Sequence, residues 1–212
     1  MTVPVATAAA ISTSKRLLDF WFKGHVPGQP FKRENFLFWY SSTPELDDRL
    51  RSEFKDSTER ALVDKDFRDS LTSTGEGTVA LTLLLDQIPR NIFRNSPRPF
   101  TEFDPLARQV VKEALAKKSC MAVHPFFRHF LYMPLMHSEN VEDQAACVRE
   151  FTKEFNNAEP DLKDMFKDYL AYAKSHEAVI QKFGRFPHRN SILGRTPTKA
   201  EKTHMETSSD RW

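Results

Sequence analysis

One stripe of side chains constrains this chain more than any other feature. From Leu162 the apolar positions run through Phe166, Tyr169, Ala173, Ile180 and Phe183, with His176 filling the remaining place in the series. Steps of four and three residues alternate along it, the pattern of a helix face packed lengthwise on a second helix. Pro160 opens this helix. Gly184 ends it, at the position just past a helix where φ must turn positive. Pro187 then prevents the helix from resuming. The stretch across this end reads Phe183-Gly184-Arg185-Phe186-Pro187-His188-Arg189-Asn190. Exposed turns favour Gly, Ser, Asp and Asn, whereas this one carries guanidinium and imidazole groups beside two phenylalanines. Either Arg185 and Arg189 cap carbonyls at neighbouring helix ends, or they hold donors in fixed directions for a ligand.

The rest of the chain repeats the helical period. Thr13 is the expected cap of a first helix carrying Leu17, Leu18, Trp21 and Phe22, with Gly24 at its end. Phe31 to Tyr40 reads as a short aromatic helix. Thr43-Pro44 starts a helix with Leu46, Leu50, Phe54, Ala61 and Leu62 on one face. A polar stretch from Asp64 to Glu76 follows. Val79 to Leu85 is apolar nearly all round and predicts a central buried helix, which Pro89 must distort. Asp104-Pro105 and His124-Pro125 open two more. Ser138 is the expected cap of a helix reaching Asn157, and Thr198 to Glu201 forms a capping box. No stretch alternates with the period of a strand. The expectation is an all-α fold of antiparallel helical hairpins, in a single compact domain over 13–212 after a flexible leader at 1–12.

Composition narrows the function classes. With 212 residues, one substantial core is the default. A net charge of +2 supplies no strong field for nucleic acid or for a membrane surface. No apolar run approaches the length that spans a bilayer. Cys120 and Cys147 make neither a disulfide framework nor a zinc pattern, which fits a reducing, cytoplasmic setting. There are no glycine-rich phosphate loops and no H-E-x-x-H spacing.

Four longer motifs carry a resemblance. They are Leu17-Leu18-Asp19-Phe20-Trp21-Phe22, Leu84 to Arg94, Phe130 to Glu139 with Gln144, and Phe183 to Asn190 with Leu193-Gly194-Arg195. Together they resemble the family called domain of unknown function 924, over about Lys15 to Glu201. The resemblance implies an all-α fold similar to a right-handed tetratricopeptide-like array. It implies little about activity.

Function must therefore be read from the polar clusters at the ends of apolar helices. Asp86, Arg90 and Arg94 stand four apart, with Asn91 beside them. His137 and Glu139 follow the Phe130 stretch. Arg185, His188, Arg189 and Asn190 follow the long helix, and His176 lies about two turns before its end. If these ends converge, Asp86, Arg90, Asn91, Arg94, Arg185, Arg189 and Asn190 form a ligand-binding set for a carboxylate or phosphate. His137, Glu139, His176 and His188 then supply groups for acid–base catalysis. A metal site is not expected from these spacings, and no cofactor is named. The expected partner is a small anionic molecule, with a non-enzymatic protein-interaction module as the alternative.

Overall fold

Helices open where the sequence supplies a hydroxyl, carboxylate or amide cap. The computed structural model describes residues 6–25, 37–39, 43–118 and 120–208, and every regular element in them is helical. Helix α1 (Ala8–Phe22) begins at Thr7, whose side chain accepts from the Ala10 N–H. It starts ahead of Thr13, so the expected leader at 1–12 gives up residues 8–12 to a helix, and Ala10 is buried in the core. The expected aromatic helix at 31–40 lies outside the described residues except for a single 3₁₀ turn at 37–39. Helix α2 (Pro44–Val63) is capped by Thr43 as expected. The polar stretch after it is not a loop. Asp64 ends α2 and caps α3 (Lys65–Leu71), accepting from the Phe67 N–H.

The central rod runs through α4 (Gly75–Thr82), a π-helical turn at Leu83–Gln87, and α5 (Ile88–Ile92). Leu83, Leu84, Leu85 and Asp86 are all 0% exposed. Pro89 explains the wide turn. It has no N–H to donate, and in a regular helix its ring would strike the carbonyl four residues back. Widening by one residue lets the Ile88 N–H reach the Leu83 carbonyl, five residues away. A second π turn, Pro99–Phe103, leads into α6 (Asp104–Lys117). Each wide turn delivers one buried carboxylate, Asp86 within the first and Asp104 directly after the second.

Short α7 (Pro125–Arg128), a 3₁₀ turn at His129–Tyr132 and α8 (Met133–Met136) carry the chain beneath an aromatic cluster around Phe22, Trp39, Phe126 and Phe130. Helix α9 (Val141–Asn157) is capped by Asn140 rather than by Ser138. Ser138 instead accepts from the Asn140 N–H and donates to Asp143. Helices α9 and α10 (Lys163–Phe183) pack as a hairpin, with Phe151 and Tyr169 stacked 5.6 Å apart. The predicted seam is buried from Leu162 to Ile180, His176 included. Gly184 ends α10 at φ 68°. The 3₁₀ turn Pro187–Arg189 and helix α11 (Lys199–Thr207) complete the chain. Val179, Ile180 and Phe186 form a small apolar cluster of their own beneath this last segment. No described helix is long and apolar enough to cross a membrane.

Gly77 marks the tightest approach in the rod. A Cβ there would lie 2.1 Å from the Leu71 carbonyl oxygen, so α4 can pack on the end of α3 only through a glycine. Gly77→Ala is expected to cost about 1–3 kcal/mol, the scale of overpacking a core. Urea unfolding measures it, and a substitution within 0.5 kcal/mol (about the noise of a surface change) contradicts the packing described.

Candidate functional site

Asp86 is the first buried charge that the fold must satisfy. Its Oδ1 lies 2.8 Å from His137 Nδ1 and 3.4 Å from Arg90 Nη1, and its Oδ2 accepts from Gln87 at 2.6 Å. Burial pushes this carboxyl up, but Arg90, His137 and Gln87 outweigh it and hold Asp86 at about 2. Arg90 also donates to the Asp86 carbonyl at 2.6 Å and reaches Asp104 at 2.8 Å, so it bridges the two carboxylates delivered by the two π turns.

From Asp104 the contacts continue. Arg189 Nη1 lies 3.8 Å from Asp104 Oδ2. The Arg189 guanidinium sits over Phe186 at 4.6 Å and over Phe100 at 4.8 Å. Phe186 meets the His176 ring edge-on at 5.6 Å, and His176 faces His137 at 6.4 Å between ring centroids. The series Asp86–Arg90–Asp104–Arg189–Phe186–His176–His137 closes on itself. Five stretches of the chain, at 86–90, 104, 137, 176 and 186–189, are thus joined in one series of contacts. His188 borders it, 5.5 Å from Phe186.

Arg189 is the unusual member. Only 6% of it is exposed, yet its guanidinium makes no hydrogen bond within the described residues, and its Nε is wholly buried without an acceptor. Burial, then the repulsion of Arg90, lowers its pKa to about 10. A buried donor left unmade costs about 1–3 kcal/mol, and the Arg189 Nε–H is one. Asn190, next in the chain, has both amide atoms buried and unpaired as well.

The imidazoles are held neutral. Burial, then His137, takes His176 down to about 3, and burial, then Arg189, takes His188 down to about 4. Burial lowers His137 against the opposing pull of Asp86.

Other expected site residues belong to structural pairs. Arg94 holds Asp47 with two bonds of 2.6 and 2.8 Å, tying the turn after α5 to α2. Asn91 bonds the Gln87 carbonyl and accepts from Arg94. Arg185 turns away from the centre to Glu201 at 2.7 and 3.0 Å and to the Thr196 carbonyl, so it anchors α11. Glu139 accepts from the Phe186 N–H and takes both arms of Arg195, which supports the turn from outside. Asp104, Arg195 and Phe100 were missed as members. Asp104 read as a helix start, and Arg195 appeared only within a motif. Among the described residues, no group of three or more His, Cys, Asp or Glu side chains is placed to hold a metal ion.

The model of a bacterial protein of unknown function, DUF924, matches residues 17–209. The chain belongs to the DUF924 family. A solved protein of unknown function from Agrobacterium tumefaciens shares 29% identity with it, over 94% of this chain and 99% of that one, at a TM-score of 0.76. No curated protein matches. The expected membership and the all-α class are both met in this DUF924 chain.

The neutral histidines fix a pH dependence. His176 and His188 have folded-state pKa values below the unfolded value of 6.5. Their contribution is present above pH 6.5 and is lost as pH falls toward about 4 and then about 3. Stability should therefore decline on acidification from about pH 6.5, ahead of carboxylate titration. His176→Phe should flatten part of that decline in melts run from pH 7.5 to 4.5. An unchanged slope contradicts the buried neutral imidazole.

Proposed function

We propose that this chain binds a small anionic molecule at the centre of the closed series, through the edge of the Arg189 guanidinium. The observation that carries the reading is an arginine only 6% exposed that packs against Phe100 and Phe186 and whose guanidinium has no hydrogen-bond acceptor among the described residues. A planar fork held in this way is suited to a carboxylate or phosphate oxygen pair, and it loses little entropy on binding. Arg90 stands beside it with 21% of its side chain exposed. Proton transfer falls to His137, oriented by Asp86, rather than to Glu139, whose oxygens are taken by Arg195 and Phe186. A His/Asp pair thus replaces the expected His/Glu chemistry.

A protein-interaction role, as the tetratricopeptide-like resemblance suggests, would call for a continuous groove with exposed aromatics. The exposed large apolar residues among those described are Ile11, Leu37, Val63, Met121, Val141 and Tyr172, scattered over separate elements. That distribution favours the small-molecule reading.

Isothermal titration of acetate, propionate and inorganic phosphate tests it. At least one anion should bind saturably, and Arg189→Lys should weaken it by about 1.5–3 kcal/mol, because an ammonium cannot reproduce the fork. Arg185→Lys should leave binding unchanged. Equal loss in both variants, or no saturable binding of any anion, overturns the proposal.

A further inference from the structure

The chemistry of the ligand can be taken a step further on that reading of Arg189. Asp86 is an ionised carboxylate and can only accept hydrogen bonds, so His137 Nδ1, 2.8 Å away, must be the protonated nitrogen. In the neutral ring, Nε2 is then an obligate acceptor. Nε2 has no hydrogen-bond partner among the described residues, and 14% of the side chain is exposed. The series thus carries unpaired donor capacity at Arg189 and unpaired acceptor capacity at His137.

Charge sets a second condition. Arg90 and Arg189 are matched in number by Asp86 and Asp104, and Glu139 is matched by Arg195. The poorly compensated cation is Arg189, whose carboxylate contact is 3.8 Å long and makes no hydrogen bond. One negative charge complements it. A second would face Asp86 and Asp104 without a cation of its own.

We propose that the ligand is a short hydroxycarboxylate monoanion, with its carboxylate on the Arg189 fork and its hydroxyl donating to His137 Nε2. A phosphate dianion fits the charge less well, and a simple carboxylate leaves Nε2 without a donor. A keto acid presents oxygen lone pairs to the Nε2 lone pair. His137 is here a binding and specificity residue, and Asp86 is a positioning residue that acts by fixing the tautomer.

Titration with L-lactate, glycolate, propionate, pyruvate and inorganic phosphate tests the proposal, read by calorimetry and by long-range ¹H–¹⁵N correlation of the histidine rings. Lactate or glycolate should bind about 3- to 10-fold tighter than propionate, the fold-change of one neutral hydrogen bond, and tighter than pyruvate. The free protein should show His137 protonated at Nδ1. Its Nε2 resonance should move with lactate and not with propionate. Asp86→Asn should abolish the preference for lactate over propionate while propionate binding persists. Should that variant fail to fold, the ring spectra of the unaltered protein still decide. Equal affinity for lactate and propionate, a preference for phosphate or pyruvate, or His137 protonated at Nε2 overturns the hydroxycarboxylate assignment but leaves the anion site standing. If no anion binds in an Arg189-dependent way, both readings fall.

Discussion

A single buried carboxylate, Asp86, sets the arrangement of everything around it. It lies on a π turn that exists because Pro89 cannot continue a regular helix. It is reached by Arg90 from the next turn and by His137 from the end of α8. Ionised groups in a protein interior persist only when paired and hydrogen-bonded. Asp86 meets that condition with its own neighbours, Gln87 and Arg90, and with one distant partner. Removing it would leave Arg90 and His137 short of acceptors. Asp104 then engages the remaining arm of Arg90, and the α6 start is fixed against the rod.

Buried polar atoms without a partner among the described residues occur at Trp21, Thr58, His129, Gln144 and Arg195, but Arg189 and Asn190 bring three such atoms together. Arg98, Arg94, Arg128, Arg185 and Arg195 all find carboxylates with two-armed or near two-armed geometry. Arg128, buried like Arg189, is satisfied by Glu154 and by the Met121 and Val123 carbonyls. The fold thus satisfies a buried arginine where structure alone requires one. Arg189 stands apart from that pattern, packed against two phenylalanine rings with its Nε–H unpaired among the described residues. Unsatisfied buried donors that persist at the convergence of several segments are where stability is given up for binding.

Much of the fold was legible because helical period and caps are local signals. The seam from Leu162 to Ile180, the Thr43 and Thr198 caps and the Pro89 distortion were all read from residue spacing. The errors were local as well. Thr7 rather than Thr13 starts α1, Asn140 rather than Ser138 caps α9, and the polar run after Val63 is helical because Asp64 serves two helices at once. The site was partly legible. Arg189, His176, His137, Asp86 and Arg90 were candidates because they break apolar patterns. Their spacing could not separate them from Arg94 and Arg185, since choosing between a ligand and Asp47 or Glu201 is a matter of tertiary distance. Asp104 was hidden because an acid before proline at a helix start already has a sufficient local explanation.

The guanidinium Nε–H correlation of Arg189 in a ¹H–¹⁵N spectrum tests the central claim most directly. A buried, ring-clamped Nε–H should give a protected signal that shifts saturably as a small carboxylate is added, while those of Arg94 and Arg185, already paired, stay in place. A signal for Arg189 that is exchange-broadened like a surface arginine, or that is indifferent to every anion while the surface arginines respond, would contradict the account.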